Sequence, residues 1–212
     1  MDALEAIRTR MSVRRYRPDP VDDQALRVVL DAARWAPSWA NTQCWRFIVV
    51  RDQETKARLS ETKVAVSERP NRAAEAIRTA PVVIVACGEL GKSGYLKRGP
   101  GGPATDKGDW YMFDVGLAME NLALAANAIG LGTLHVGAFD SAGVAGILGI
   151  PPGFPVVEMM PLGYPAEAPH ERTRKELSEI VFKDRYGKTY FPQLDNSQQP
   201  LSSPSHPTLP HF

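Results

Sequence analysis

The sequence predicts an α+β fold in which helices cover a central sheet. Short apolar runs typical of buried strands occur at residues 46–50, 81–87, 133–138 and 156–162. Helical sequence separates these runs, and the elements follow one another in mixed order. Internal repeats are absent, so we expect a single folded domain with, at most, appendages.

The composition is that of an ordinary globular protein. Of 212 residues, 43% are hydrophobic and 23% charged, and the net charge is +1. This balance argues against nucleic-acid binding, so any basic cluster is a local feature. Cys44 and Cys87 are the only cysteines, too few for a disulfide framework or a cysteine-based zinc site. Without a signal peptide or a membrane-length apolar run, we expect a cytoplasmic protein with no membrane partner.

Two capped helices open the chain. The first follows Asp2, and the second follows Asp22 or Asp23 and ends before Pro37. Their apolar residues recur at helical spacing, as Leu4, Ile7 and Met11 in the first and Leu26, Val29, Leu30 and Ala33 in the second. Helical sequence also occupies about 53–66 and 72–79.

A glycine-rich loop, residues 88–108, precedes the longest predicted helix. Its length without periodicity favours a functional segment, and we expect a mobile lid that shapes substrate choice. The helix from Asp109 to about Ile129 is apolar on nearly all sides, which is typical of a buried helix or an oligomer interface. We therefore expect an obligate homodimer.

The C-terminal part contains one more short helix and a polar tail. Asp140 is the expected cap of that helix, and Gly149 ends it. Residues 195–212 hold four prolines and several serines and are expected to be disordered. The expected organisation is a folded domain over 1–194 and a tail over 195–212.

The segment from Thr9 to Arg17 concentrates four arginines and a serine. Arginine suits a phosphate because its paired donors match two oxygens at once. If the chain is extended here, Arg10, Ser12 and Arg14 converge on one small dianion, while Arg15 points away. A solvated basic turn is the alternative interpretation of this segment alone.

Residues 36–45 form a polar loop between a helix and a strand. Uncharged donors and acceptors stand beside the indoles of Trp39 and Trp45. This mixture suits a flat heteroaromatic ligand with carbonyl and imide edges. A loop whose side chains satisfy their own backbone is an equal alternative.

No catalytic dyad, triad or metal-ligand set stands out among the four histidines, and a packing role is expected for His135. A second basic cluster at 171–175 contains Arg172 and Arg174. Its default interpretation is a solvated turn, but its pairing with the first cluster in a nearly neutral protein favours a shared anion.

Six segments together resemble the nitroreductase family of flavin enzymes. They are Arg10–Tyr16 (R-x-S-x-R-x-aromatic), Ala36–Trp45, Gly130–Gly132, Gly137–Asp140, Pro161–Pro165 and Arg172–Arg174. They occur in order, at family-like spacing, over about residues 1–192. The resemblance implies a mixed, mostly antiparallel sheet flanked by helices, in a homodimer with a swapped C-terminal arm.

The resemblance also implies two FMN molecules at the subunit interface and NADH or NADPH as co-substrate. The cofactor-binding residues that it implies are Arg10, Met11, Ser12, Arg14, Arg172 and Arg174 around the phosphate, Pro37, Ser38, Trp39 and Asn41 along the isoalloxazine from the partner subunit, and Gly137 and Ala138 near the reactive nitrogen. Met11 and Trp39 depart from the family pattern, and Trp39 narrows the space above the ring. The segment around Asn71 aligns too loosely for assignment.

The leading hypothesis is an FMN-dependent enzyme that transfers hydride from NAD(P)H to an electron-poor acceptor by a ping-pong mechanism. The acceptor is a nitroaromatic, a quinone or an activated alkene, and no side chain is assigned as catalytic because the flavin carries the hydride. One alternative keeps the fold but changes the reaction to reductive dehalogenation, dehydrogenation or flavin destruction. A flavin-binding module without turnover is another, and nucleic-acid binding is the weakest.

Overall fold

The computed structural model describes residues 1–64, 71–96, 101–167 and 173–191. The chain divides into two compact units, residues 1–170 and 171–212. The predicted tail at 195–212 lies outside the described residues.

The first unit is an α+β domain, as the sequence predicts. Its helices within the described residues are α1 (Ala3–Thr9), α2 (Asp23–Arg34), α3 (Gln53–Glu61), α4 (Arg72–Thr79), α5 (Tyr111–Ala128) and α6 (Ser141–Leu148). Its strands are β1 (Trp45–Val50), β2 (Val82–Gly88), β3 (Gly132–Thr133) and β4 (Val156–Gly163), which pair antiparallel in the order β1–β2–β4–β3.

The central strand β2 is buried along its whole length because helices cover both faces of the sheet. Val82, Ile84 and Ala86 join the core formed with α2 and α5. The alternate residues of β2 join a second core with α3, α4 and α6. This two-residue alternation explains why the strand is a continuous apolar run rather than a polar–apolar pattern. Each fully buried Val or Ile stabilises the fold by about 1.5–3 kcal/mol.

The predicted helix caps are confirmed. Asp2 accepts from the Glu5 backbone N–H at 2.8 Å, and Asp22 accepts from that of Ala25 at 2.7 Å. Asp140 caps α6, which ends at Gly149 with a φ of 65°. That left-handed conformation is the reason for a glycine there.

Three predicted boundaries are wrong. The helical sequence expected over about 53–66 ends as α3 at Glu61, and beyond it Lys63 forms an isolated bridge with Phe139. The strand expected over 133–138 is only the two residues of β3, and beyond it Val136 forms an isolated bridge with Met159. The helix expected from Asp109 begins at Tyr111, because the Asp109 carboxylate accepts from the Tyr111 N–H and, at 2.7 Å, from the Gly91 N–H. Asp109 therefore ties the glycine-rich loop to the start of α5.

Helix α5 is buried along one side only. Met119 and Leu122 are fully buried beneath α2 and the sheet. Met112 and Phe113, in its first turn, are 59% and 57% exposed. On α1, which packs on α5, Leu4 and Ile7 are also exposed. The apolar stripe predicted for α1 thus faces away from its own domain.

The second unit contains one short helix, α7 (Leu177–Ile180), within its described residues. Glu176 and Glu179 form a capping box at its start. Phe182 pairs with Thr189 in a bridge beyond it.

Candidate functional site

The basic segment runs from the end of α1 along the edge of the sheet. Its backbone is extended as predicted: the Val13 N–H donates to the Thr133 carbonyl at 2.8 Å, and Ser12 bridges Thr133 in parallel. The close approach requires Gly132, since a Cβ there would lie 2.5 Å from Cγ2 of Val13. Strand β3 therefore sets the position of the arginines on either side of Val13.

Arg10 ends α1 and is mostly buried, with 18% of its side chain exposed. Its Nε lies 3.6 Å from a carboxylate oxygen of Glu120 on α5. Together with Met11 and Gly130 it lines a cavity of about 150 Å³. The dipole at the C-terminal end of α1 disfavours an anion here. An anion bound in this cavity would therefore need the positive charge of the Arg10 guanidinium.

Arg14 lines a different and larger cavity, of about 290 Å³, together with Arg15, Arg72, Glu75 and Glu167. The side chain is half-buried and pairs with no carboxylate of the described residues; its nearest acceptor is the Ser12 carbonyl at 3.4 Å. Arg15 is exposed and 3.5 Å from Glu167. In this chain, Arg10 and Arg14 thus open into separate cavities rather than onto one point.

Arg72 is a cation that the sequence analysis missed. It is the first residue of α4, next to the cap residue Asn71. The only signal was the loose alignment of the segment around Asn71, which gave no ground for choosing Arg72.

The polar loop contains a single turn of 3-10 helix at Trp39–Asn41. Ala40, Asn41 and Gln43 have φ values of 43°, 54° and 47°. Left-handed backbone at a residue other than glycine costs about 1–2 kcal/mol, less for asparagine. Such clusters of strained residues are typical of ligand-binding sites.

Both interpretations of this loop find support in its contacts. Ser38 Oγ accepts from the Gln43 N–H at 3.0 Å, and Asn41 Oδ1 accepts from the Gln43 amide at 3.2 Å, so part of the loop satisfies itself. Pro37 and Asn41 are nonetheless exposed. Trp45 does not flank the loop as expected, because it begins β1 and is buried in the core.

The Trp39 indole belongs to an aromatic cluster at the start of α5. Its ring centroid is 5.5 Å from that of Trp110, which in turn is 5.4 Å from Phe113. Below the cluster, the buried carboxylate of Asp114 accepts from the Trp39 backbone N–H. Sequence analysis missed Asp114 because one aspartate in an apolar helix carries no periodic signal.

Gly137 and Ala138 lie in the turn before α6. The Ala138 carbonyl accepts from the Val64 N–H at 3.2 Å and from the ammonium of Lys63. Burial lowers the pKa of Lys63. Within the described part of the chain, the N–H groups of Gly137 and Ala138 donate to no protein acceptor. They are donors available to a ligand.

His135 lies beside Arg10 in a group of charges. Its Nε2 is 3.4 Å from Glu120 and its Nδ1 is 2.7 Å from Glu158. Glu120 and Glu158 raise the pKa of His135 to about 9, against the opposing effect of burial. The packing role expected for His135 is therefore an ionic one.

The remaining predicted residues belong to the second unit or to undescribed segments. Arg174 is exposed and donates to the Thr173 carbonyl at 3.2 Å. Arg172 lies outside the described residues.

The described part of the glycine-rich loop folds back on itself. The Ala104 N–H donates to the Gly94 carbonyl, and the Trp110 N–H donates to the Ser93 carbonyl.

Among the described residues, no three metal-ligating side chains come close enough to hold an ion. In the same residues, no helix combines the length and apolarity needed to cross a bilayer.

Known proteins provide a separate line of evidence. A family model described as "Nitroreductase family" matches residues 7–164. A Thermus thermophilus protein named NADH dehydrogenase is 32% identical over 204 residues, covering 85% of this chain and 95% of its own. A Rhodospirillum rubrum protein named 5,6-dimethylbenzimidazole synthase is 30% identical over 199 residues, covering 87% of this chain and 90% of its own.

The fold is shared with solved structures. A nitroreductase family protein from Clostridium difficile superposes with a TM-score of 0.72 at 27% identity, over 87% of this chain and 99% of that one. The same order of helices and antiparallel strands therefore recurs at low sequence identity.

Proposed function

The chain belongs to the nitroreductase family, and from this premise we propose that it is an FMN-dependent oxidoreductase acting between NADH or NADPH and an electron-poor small molecule. A bound flavin supplies the hydride chemistry, accepting from the nicotinamide and donating to the acceptor. The protein's residues bind, orient and enclose the reactants. The acceptor class remains that of the sequence analysis: a nitroaromatic, a quinone or an activated alkene.

Arg14 is the observation that carries the proposal. It is a half-buried guanidinium that pairs with no carboxylate of the described residues. The two carboxylates that line the same cavity, Glu75 and Glu167, pair instead with Arg78 and Arg15. Burying a cation without an anion is costly, so the arrangement favours an anionic ligand. The resemblance assigns the phosphate to Arg10, Ser12 and Arg14, with Met11 between them. Because Arg10 and Arg14 line separate cavities in this chain, the structure itself supports Arg14 alone, and the shared phosphate site stays a proposal of the resemblance. Arg172 and Arg174 remain proposals from the resemblance.

The ring-binding residues fit a flat polar ligand. Ser38 and Asn41 offer uncharged hydrogen-bonding groups, and Pro37 and Trp39 offer apolar surface. The hydroxyl of Thr42 is buried without a partner among the described residues, which suits a site completed by another molecule. The free N–H groups of Gly137 and Ala138 suit the acceptor edge of a flavin ring.

A homodimer is part of this proposal. The exposed Leu4, Ile7, Met112 and Phe113 on two packed helices are large apolar side chains without cover from their own domain. A second copy of the chain would cover this surface and bring its loop 36–45 to the cofactor. The swapped C-terminal arm stays a proposal of the resemblance.

A specialised reaction on the same fold is the second candidate. The relative named 5,6-dimethylbenzimidazole synthase is nearly as similar as the one named NADH dehydrogenase. Dehydrogenation, reductive dehalogenation or flavin destruction therefore stay open as alternatives, as does flavin binding without turnover.

The visible absorption spectrum of the purified protein and anaerobic stopped-flow mixing with NADH and NADPH test the proposal. Bound FMN that is bleached by one nicotinamide and reoxidised by a quinone is the expected result. Bleaching followed by loss of flavin in air would favour the second candidate. Stable flavin binding without bleaching would leave a binding module, and absence of flavin binding would contradict the cofactor assignment.

A further inference from the structure

Asp114 is a buried carboxylate with an unusual set of partners. The residue is 1% exposed in the first turns of α5. Its two oxygens lie 3.2 and 3.1 Å from the backbone nitrogen of Trp39, which donates to both. Oδ2 also accepts from the Cys44 thiol at 3.7 Å. Asp114 therefore contacts the polar loop at two positions, Trp39 and Cys44, from a different element of the fold.

No cation among the described residues neutralises Asp114. Its nearest charge compensation is the N-terminal end of α5, whose dipole favours an anion. Burial, and secondarily the Asp114 carboxylate, raises the pKa of Cys44 to about 12, so the thiol stays a neutral donor. A buried carboxylate whose main partners are one backbone N–H and a thiol adds little to the stability of the fold. An apolar side chain of similar size would cost less desolvation free energy at the same position.

The loop that Asp114 holds contains three of the four non-glycine residues with positive φ among the described residues. Ala40, Asn41 and Gln43 all have left-handed backbone. Local contacts within the loop include the side-chain bonds of Ser38, Asn41 and Gln43 and a backbone bond from the Thr42 N–H to the Trp39 carbonyl at 2.9 Å. The Trp39 N–H, by contrast, donates to no acceptor within the loop. The Trp39 backbone, at the centre of the loop, is fixed from outside by Asp114, and its ring is fixed by Trp110.

We propose that Asp114 is a positioning residue that fixes Trp39 and the strained loop in the conformation that receives the flavin ring. This inference rests on the proposed function. The hydrogen bond from Trp39 sets where the ring-binding residues Ser38 and Asn41 stand. Removal of the carboxylate lets the left-handed residues relax, and the loop then presents a different surface to the ring.

Flavin affinity measured with two ligands tests the inference. FMN carries a phosphate and riboflavin does not, so a ring-positioning residue affects both ligands equally. Asp114→Ala should weaken both FMN and riboflavin by about tenfold or more and shift the visible absorption or circular dichroism of bound flavin. Asp114→Asn keeps one acceptor oxygen for the Trp39 N–H. This variant should therefore lose only a few-fold in affinity for FMN and riboflavin.

Asp52→Ala is the matched control. Asp52 also accepts a backbone N–H, from Thr55 at 2.7 Å, but it caps α3 away from the loop. Asp52→Ala should lower the thermal stability of the protein. It should leave the affinities for FMN and riboflavin and the flavin spectrum unchanged. Cys44→Ala tests the thiol separately and should change the affinities less than Asp114→Ala.

The outcomes separate this inference from the proposed function. If the wild-type protein binds neither ligand, the proposed function fails. If it binds FMN, but Asp114→Ala only melts earlier and keeps the affinities and flavin spectrum of wild type, Asp114 is merely structural and the inference is overturned. If Asp114→Ala does not fold, Asp114→Asn carries the test: an unchanged flavin spectrum and unchanged riboflavin affinity overturn the inference.

Discussion

Nδ1 of His135 lies 2.7 Å from Oε1 of Glu158, and this ion pair joins the edge of the sheet to strand β4. Glu120 on α5 approaches the other ring nitrogen, and its second oxygen faces Arg10. The imidazolium is thus one member of a charge group whose other cation is a proposed phosphate ligand.

The first prediction concerns pH. The pKa of His135 is about 9 in the folded chain, above its ordinary value of 6.5. A raised folded-state pKa contributes stability that is complete below about pH 6.5 and is lost as the pH rises through about 9. His135→Gln should therefore destabilise the protein at pH 7 by about 1–2 kcal/mol, a figure reduced for solvent screening of a side chain that is 35% exposed.

Denaturant unfolding at several pH values checks this prediction. The difference in unfolding free energy between wild type and His135→Gln should shrink from pH 7 to pH 10. A difference that stays constant over this range would show that His135 contributes by packing alone.

The second prediction concerns the phosphate. Arg14→Ala should remove a charge-assisted contact of about 1.5–3 kcal/mol and weaken FMN binding by about one to two decades. Riboflavin affinity should not change, because riboflavin carries no phosphate. Arg17→Ala is the control, because Arg17 is an exposed arginine of the same segment that pairs with Asp19 at 2.6 Å and does not line the cavity. An equal loss of FMN affinity in both variants would contradict the assignment of Arg14. So would an equal loss of affinity for FMN and for riboflavin in Arg14→Ala.

The sequence predicted local elements better than it predicted what they contact. Caps such as Asp22 depend on a side chain and a backbone only three residues apart, so the pattern suffices. Trp45 was misplaced because the direction of one indole depends on strand register. Asp114 and Arg72 were missed because their partners lie on other elements, and the short β3 reflects pairing with β4 that no local pattern encodes. Where local chemistry left alternatives open, the family segments selected the candidate site, and its residues stay a prediction.

The third prediction uses the close contact between β3 and the basic segment. A Cβ on Gly132 would lie 2.5 Å from Cγ2 of Val13. Gly132→Ala should therefore destabilise the protein by about 1–3 kcal/mol through overpacking and displace the segment between Arg10 and Arg14. Val13→Ala in the same chain should restore part of the stability and of the FMN affinity. If the double variant lost as much stability as the two single variants together, the steric explanation would be contradicted.

The fourth prediction concerns the dimer. Met112 is 59% exposed at the start of α5, and a glutamate there would place a charge in the proposed interface. Met112→Glu should convert the protein to a monomer in light scattering and reduce its flavin content, because the partner's loop is then lost. Val28→Glu is the control, a change on exposed α2 surface. A wild-type monomer that keeps one flavin per chain would contradict the proposed dimer.

The last prediction concerns the order of the reaction. Trp39 packs on Trp110, and we expect its indole to narrow the space above the proposed ring site. Nicotinamide and acceptor would then occupy the same volume in turn, so exclusion by shape orders the steps without a catalytic acid. Double-reciprocal plots with a quinone acceptor should give parallel lines, and a flat aromatic acid should compete with NAD(P)H.

Trp39→Ala tests this explanation directly. The smaller side chain should raise the Michaelis constant for flat acceptors by removing their stacking surface and should admit bulkier ones, with flavin affinity less affected. Trp39→Phe keeps an aromatic ring, so its Michaelis constant for flat acceptors should be close to that of wild type. Intersecting lines for the wild-type enzyme, with a nicotinamide analogue trapped together with the acceptor, would show two separate sites and contradict exclusion by Trp39.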